Sequence, residues 1–279
     1  MIDGALPYLR CPNCQESLHR AGQALHCARG HSFDMARQGY ADLSAGRLPH
    51  VGDTAEMVAD RADFLAAGHY DFIAGALTAY AIGGLVVDAG VGTGSYLARV
   101  LDAAPEAIGL GLDVAKPALR RAARAHPRAA AVLADVWRPL PIIDGAASMV
   151  INVFAPRNGP EFRRILRPDG ILLVVTPAPE HLRELIAAHG LIRVDPDKQA
   201  RVREALDEHF TAGVAETHER ELRLTAGEAR TLIGMTPSAR HVPVAGLPTT
   251  DVMVTAAVQV TAYHPHTERS TSSHSGGLS

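Results

Sequence analysis

Cysteine, excess charge of either sign, long apolar runs and internal repeats are all scarce or missing from this chain. Only three cysteines occur in 279 residues, and an odd number so few excludes a disulfide framework. Acids outnumber bases by 30 to 27, giving a net charge of −3. No global cationic field therefore draws in nucleic acid, and any such partner must be held by a local patch. No apolar run is long enough to span a bilayer, and Met1-Ile2-Asp3-Gly4 lacks the basic-then-apolar order of a secretion signal. A cytoplasmic protein with no membrane partner is expected. Hydrophobic residues at 47% and charged residues at 20% match a globular chain and exclude wholesale disorder. The length suits one large domain with a small module.

All three cysteines fall near the start, as Cys11-Pro12-Asn13-Cys14 and Cys27-Ala28-Arg29-Gly30-His31. Residues 1–40 read as the module and residues 41–80 as a helical bridge. Within the bridge, Asp53 followed by Glu56 predicts a capping box opening a helix to Ala67. Gly68 interrupts it, and a second helix resumes after Tyr70. From Leu85 the texture changes to short apolar runs alternating with helical stretches. Strands are expected at Leu85–Val87, Ile108–Leu112, Ala131–Ala134, Met149–Phe154 and Ile171–Thr176. Helices are expected at Ser95–Ala104 and Lys116–Ala125 and from Glu180 onward. That alternation implies an α/β fold with a mostly parallel sheet covered on both faces. Glu221–Leu224 and Val252–Tyr263 alternate as edge or antiparallel strands do. The main domain is expected over residues 81–263. Residues 264–279, rich in Ser, Thr, His and Gly, predict a disordered tail.

The cysteine spacing carries chemistry. Cys11 and Cys14 flank one tight turn, and Cys27 with His31 flanks another. Three thiolates and one imidazole satisfy the tetrahedral preference of structural zinc and leave no open position for catalysis. A segment this small cannot bury enough apolar surface alone, so the metal would supply its folding energy. His19 and His26 lie in the same module at a less natural spacing and read as surface or packing residues.

Asp88-Ala89-Gly90-Val91-Gly92-Thr93-Gly94 joins the first main strand to its helix. Glycines there let backbone approach a ligand and aim N–H groups at it. A nicotinamide fingerprint needs a sixth-position glycine, and Ser95 stands there. Glycines 90, 92 and 94 after an acid look instead like the S-adenosylmethionine turn of class I methyltransferases, a Rossmann-like fold with a seven-stranded sheet. Asp113, ending the next strand, is suited to the ribose hydroxyls. Asp135, after the third strand, is suited to the adenine amino group. The absence of lysine or arginine from the turn agrees with a phosphate-free cofactor.

Longer motifs give a fuller resemblance. The zinc pattern and Phe33-Asp34-Met35-Ala36-Arg37-Gln38-Gly39-Tyr40 are similar to the RlmA group of 23S rRNA guanine-N1 methyltransferases. So are Asp53-Thr54-Ala55-Glu56-Met57, Phe64-Leu65-Ala66-Ala67-Gly68-His69-Tyr70, Thr176-Pro177-Ala178-Pro179-Glu180-His181-Leu182 and Met235-Thr236-Pro237. Asn152-Val153-Phe154-Ala155-Pro156-Arg157-Asn158 and the run Lys116–Pro127 resemble the branch named for tylosin resistance, which modifies guanine 748 rather than guanine 745. Both targets lie in the loop of hairpin 35, beside the macrolide-binding exit tunnel. The resemblance implies that Tyr70, Gly92, Thr93 and His181 contact S-adenosylmethionine. It implies that Cys11, Cys14, Cys27 and His31 hold zinc, that the module recognises RNA, and that the protein is a homodimer.

Methyl transfer is an in-line displacement, so positioning dominates. Phe154 and Pro156, ending the fourth strand, are suited to stack or wall a flipped-out base. Tyr70 is suited to lie over the sulfonium. The N1 proton of guanine must leave, and Asp53, Glu56 and Asp135 are the acids in the motif regions. Lys116, Arg120, Arg121, Arg124 and Arg128 form an acid-free run, better read as a solvated helix face; Arg29 and Arg37 in the module are the more attractive RNA contacts. Two other readings compete. One is a small-molecule methyltransferase with a structural zinc module, against which the long two-module resemblance speaks. The other is a non-catalytic RNA-binding protein, against which the intact glycines and Asp113 speak.

Overall fold

The computed structural model describes residues 2–242 and 246–266. A short helix α1 (Ile2–Ala5) leads into three small strands, β1 (Leu18–Ala21), β2 (Ala24–Cys27) and β3 (Ser32–Asp34), paired antiparallel as β1-β2-β3. The chain then runs through β4 (Ala41–Asp42), α2 (Ala55–Ala66) and α3 (Asp71–Thr78). The regular alternation follows: β5 (Gly84–Ala89), α4 (Ser95–Ala103), β6 (Ala107–Asp113), α5 (Lys116–Ala122), β7 (Ala129–Leu133), β8 (Ala147–Val153), α6 (Gly159–Ile165) and β9 (Leu166–Pro177). Then come α7 (Arg183–His189), α8 (Lys198–Leu206), β10 (Phe210–Leu224), α9 (Ala226–Gly234) and β11 (Val252–Pro265).

The large sheet has the order β10-β11-β9-β8-β5-β6-β7-β4, eight strands rather than the seven expected. The addition is β4, whose two residues pair parallel with Val132 and Leu133. So short a strand has no readable period in sequence. Pairing is parallel from β4 to β9 and antiparallel at β11 and β10. All seven residues of β8 are buried and five of six in β5, as strands covered on both faces require. β10 is mostly exposed and carries Glu216, Glu219, Arg220, Glu221 and Arg223, charges that discourage further pairing at that edge. The chain order reverses beside β5, whose neighbours are β6 and β8, and ligands of such sheets bind outside the carboxyl ends at that switch point.

One face of the sheet packs α3, α4, α5, α7 and α9 through residues such as Leu77, Leu97, Leu119, Leu185 and Leu232. The other face packs α1, the three-stranded module, α6 and α8. Leu9, Leu18, Leu25 and Phe33 of the module share that core with Leu85, Val87, Leu110 and Ile142.

Several expectations need correction. Helix α2 is capped by Thr54, whose hydroxyl accepts from Met57 N–H at 3.3 Å; Asp53 instead pairs with Arg61. Helix α5 stops at Ala122, so Arg124 sits in the turn beyond it. Arg128 is no part of a solvated face. Its guanidinium donates to the carbonyls of Leu101, Ala104 and Ala107 and so covers the end of α4. His264 and Pro265, assigned to the tail, pair with Thr211 and Phe210 in the last strand. From residue 267 the expected tail lies outside the described residues.

Candidate functional site

The predicted zinc ligands converge. The four donor atoms of Cys11, Cys14, Cys27 and His31 lie within 4.8 Å of one another. Cys14 and Cys27 Sγ atoms are 3.7 Å apart, and His31 Nδ1 is 3.3 Å from Cys27 Sγ and 3.5 Å from Cys11 Sγ. A tetrahedron with Zn–S bonds of about 2.3 Å has edges of about 3.8 Å, so this donor set fits zinc in size and in chemistry. Cys11 and Cys27 are buried. His19 and His26 face each other across β1 and β2, outside this cluster.

The second site lies at the carboxyl ends of β5 and β6. Gly90, Gly92 and Gly94 all adopt positive φ, +96°, +53° and +84°, a region costly for any residue with a Cβ. A Cβ on Gly90 would stand 2.3 Å from the Ala155 methyl, and one on Gly94 2.8 Å from that of Ala125. The glycines thus leave the turn bare of side chains and let two neighbouring segments close on it, while the N–H groups of Gly90, Val91, Gly92 and Gly94 are held by Leu112 O, Asp113 and Val91 O. Thr93 is 7% exposed, its hydroxyl 2.9 Å from that of Ser95.

The three aspartates stand at strand ends as expected. Asp113 accepts from Gly92 N–H at 2.9 Å and Ala115 N–H at 2.8 Å. Burial pushes its carboxyl above the usual range, and those two N–H groups oppose the push. Asp88 is buried with Oδ1 unpartnered, and burial followed by the neighbouring Asp113 charge holds it well above the usual range. Asp135 is 4% exposed; Oδ1 accepts from Trp137 N–H at 3.0 Å, and Oδ2 accepts no hydrogen bond but lies 3.7 Å from His50 Nε2 and 4.0 Å from Arg138 Nε. Buried carboxylate oxygens that accept no hydrogen bond, such as Asp88 Oδ1 and Asp135 Oδ2 here, are rare. They stand at the strand ends beside a turn bare of side chains, an environment that a polar cofactor with ribose and amino groups fits.

Around the rim the structure brings Tyr70, His181 and Phe154 together. The Tyr70 hydroxyl is 3.4 Å from His181 Nε2, and the rings of His181 and Phe154 are 5.9 Å apart. Ala257 N–H donates to His181 Nδ1 at 3.2 Å, so the ring proton sits on Nε2, facing Tyr70. Burial lowers His181 to about 4, keeping it neutral at physiological pH. Tyr70 is buried, and burial raises its hydroxyl. Phe154 is 43% exposed at φ +52°, a strained conformation for a bulky residue. Asn152 beneath it donates to Ala89 O at 2.9 Å and Pro156 O at 2.8 Å, tying the Phe154–Pro156 loop to the glycine turn.

Of the acids named in the motif regions, Asp53 is spent on Arg61. Glu56 sits in the exposed first turn of α2, where its own backbone N–H and Thr54 hold it below the usual range. Asp135 is the one buried at the rim. Two residues escaped the sequence reading. Arg61 reaches the turn from α2, within 3.6 Å of where a Gly92 Cβ would stand, and donates to Met235 O at 2.9 Å. The turn contains no cation, yet helix packing brings one to it. Trp137 is 55% exposed two residues after Asp135, and a lone tryptophan so close to a predicted contact was a signal available in the sequence.

The chain is similar to known proteins over most of its length. Residues 9–44 match the zinc-ribbon family described as RlmA, N-terminal. The chain is 54% identical over 289 residues to a Micromonospora griseorubida protein named as a 23S rRNA (guanine-N(1)-)-methyltransferase, covering 93% of this chain and 98% of that protein. It is 50% identical over 248 residues to the 23S rRNA (guanine(748)-N(1))-methyltransferase of Streptomyces fradiae, covering 86% and 89%. It is 30% identical over 262 residues to YxjB of Bacillus subtilis, covering 84% and 87%.

Proposed function

The chain belongs to the RlmA family of 23S rRNA guanine-N1 methyltransferases, and from that premise we propose that its target is guanine 748 in the loop of hairpin 35. The observation that carries the choice of guanine is the 50% identity to the guanine(748) enzyme, sustained over 89% of that protein. Methylation there, beside the macrolide-binding tunnel, would contribute to protection against tylosin-like antibiotics.

S-adenosylmethionine supplies an electrophilic methyl group; the protein's part is to hold donor and acceptor in line. In this reading Gly90, Gly92, Thr93 and Gly94 present backbone to the cofactor, and Asp88 lies beneath them. Asp113 accepts from the ribose hydroxyls. Oδ2 of Asp135, which accepts no hydrogen bond, would accept from the adenine amino group. Tyr70, braced by neutral His181, lines the sulfonium end, where a second cation would be repelled and a neutral imidazole is not. Phe154 and Pro156 receive the guanine after it leaves its stack. Cys11, Cys14, Cys27 and His31 hold the zinc that shapes residues 1–40 for RNA, with Arg29 and Arg37 exposed on that surface. A homodimer completes the proposal.

Methylation of N1 blocks the Watson–Crick edge, so reverse transcription of treated 23S rRNA is expected to stop beside guanine 748. A stop at guanine 745 would assign the other branch, and no stop in hairpin 35 would refute this target. The base pocket has its own test. Base–aromatic stacking is worth about 1–3 kcal/mol, so Phe154→Ala should lower kcat/KM for the hairpin roughly 5- to 150-fold and leave cofactor affinity within twofold. Equal losses toward RNA and cofactor would remove Phe154 from the base pocket.

A further inference from the structure

The loop carrying Phe154 and Pro156 ends in a half-buried cation, Arg157. Arg157 Nη1 is shut away from solvent without an acceptor. Among the described residues the guanidinium forms neither a hydrogen bond nor an ion pair. Its surroundings hold it in place. Asn152 grips Pro156 O on one side, and on the other Asn158 donates to Val136 O at 2.8 Å while accepting from Glu161 N–H. Gly159 then abuts α8 so closely that a Cβ there would stand 2.2 Å from Ala205 O. The opposite end of α8 is tied to β9 by Gln199, which donates to the buried Thr176 hydroxyl at 2.8 Å. The segment carrying Arg157 is therefore held in a crook between β8, β9 and α8, where the charge of Tyr263 in β11 also reaches the guanidinium.

A second cation stands at the same crook. The ammonium of Lys198, half-buried in the first turn of α8, also forms no hydrogen bond or ion pair among the described residues. Burial, and then the Arg157 charge beside it, hold its ammonium below the usual range; burial lowers Arg157 too. Asp195, the acid whose charge reaches Lys198, is taken by Arg201 at 2.9 Å. Two neighbouring, partly desolvated cations, whose acid Asp195 is itself paired with Arg201, raise the energy of the empty protein, and an anion entering between them relieves both.

We propose that Arg157 and Lys198 form a phosphate-binding site that grips the RNA backbone at the flipped guanine. The proposal rests on the reading of a structured RNA as substrate. Turning a base out of its stack rotates its backbone, so the flanking phosphates must be held for the base to stay in its pocket. Arg157 is three residues from Phe154, at most about 10 Å of chain, a reach on the scale of one nucleotide. A guanidinium fork beside an ammonium suits a phosphodiester in shape and charge.

The test uses the zinc-loaded full chain and a hairpin 35 oligonucleotide. A charge-assisted contact of this kind is worth roughly tenfold in affinity. Lys198→Ala should raise the KM for RNA roughly tenfold, with cofactor affinity and zinc content unchanged. The slope of log affinity against log salt should become shallower by about 0.7. Arg157→Lys, which keeps the charge but loses the fork, should also weaken RNA binding. Hairpins carrying one neutral methylphosphonate at each loop position in turn locate the phosphate. At one position the wild type should lose the same factor, while Lys198→Ala loses nothing further. Lys198 is one of only two lysines in the chain, so RNA should protect it from an acetylating reagent relative to Lys116. Unchanged RNA affinity and salt slope in both variants would overturn the site, as would methylphosphonates that act alike on wild type and variant. Protection of Lys198 by inorganic phosphate but not by the hairpin would make it a site for free phosphate and overturn the RNA assignment. Failure of the wild type to methylate the hairpin at all would instead refute the underlying choice of substrate.

Discussion

Replacing Cys27 with serine is expected to abolish methylation of the RNA hairpin. Serine is a poor ligand for a borderline-soft ion, and the three donors left rarely retain zinc. Metal binding is worth roughly 10–16 kcal/mol in isolated zinc-finger peptides, far more than three short strands can recover by packing. Those strands do not stand apart from the sheet. Leu9, Leu18, Leu25 and Phe33 share one buried cluster with Leu85, Val87, Leu110 and Ile142. Loss of the ion therefore uncovers part of one sheet face as well as the RNA-facing surface, and the melting temperature should fall with the activity. The opposite face, which packs α3, α4 and α5 beside the glycine turn, keeps its own core. Cofactor affinity should survive at temperatures where the sheet remains folded. Zinc content, thermal melting, cofactor affinity and hairpin methylation measured on one preparation decide the matter. Full hairpin activity in zinc-free protein would show that the module does not select RNA. Loss of cofactor binding together with global unfolding would show that module and sheet are a single cooperative unit.

Asp113→Ala should weaken S-adenosylmethionine binding by roughly 10- to 150-fold, about 1.5–3 kcal/mol for the loss of a charged acceptor. The carboxylate works in two directions. Its oxygens hold the N–H groups of Gly92 and Ala115, which sets the spacing between the glycine turn and the start of α5. In the proposed complex the same oxygens face the ribose. Alanine removes the ribose acceptor and leaves two backbone donors without their partner, so a modest drop in stability should accompany the loss of affinity. Titration calorimetry that finds unchanged cofactor affinity would take Asp113 out of the ribose site.

How much of this was legible in the chain can be judged from particular residues. The strands β5, β6, β7, β8 and β9 were readable because strands covered on both faces are continuous apolar runs, such as Leu85-Val86-Val87 and Met149-Val150-Ile151. Their ends were less so. β9 begins at Leu166, before Pro168 and Asp169, residues that sequence reasoning assigns to turns. The Asp53 and Glu56 pair had the spacing of a cap, but Thr54 stands one residue nearer the helix and took that role. Arg128 looked like one more charge on a basic face. Only the packing of α4 against β6 and β7 showed three carbonyls waiting for it.

By itself the sequence determined the metal ligands, the glycine turn and the aspartates at the strand ends, because each depends on short-range spacing that the backbone converts directly into geometry. Two cysteines across a tight turn must face the same way, and an acid that ends a strand must stand at the sheet's rim. The tertiary structure decided what arrives at those places from a distance. It brought Arg61 from α2 to the glycine turn, set Tyr70 against His181 across 111 residues, joined the zinc module to the core of one sheet face, and left the Arg157 guanidinium and the Lys198 ammonium near each other with no ion pair of their own among the described residues. None of these has a signature in local spacing, because each arises where two elements distant in sequence bury surface against each other, and burial alone decides which charges find partners.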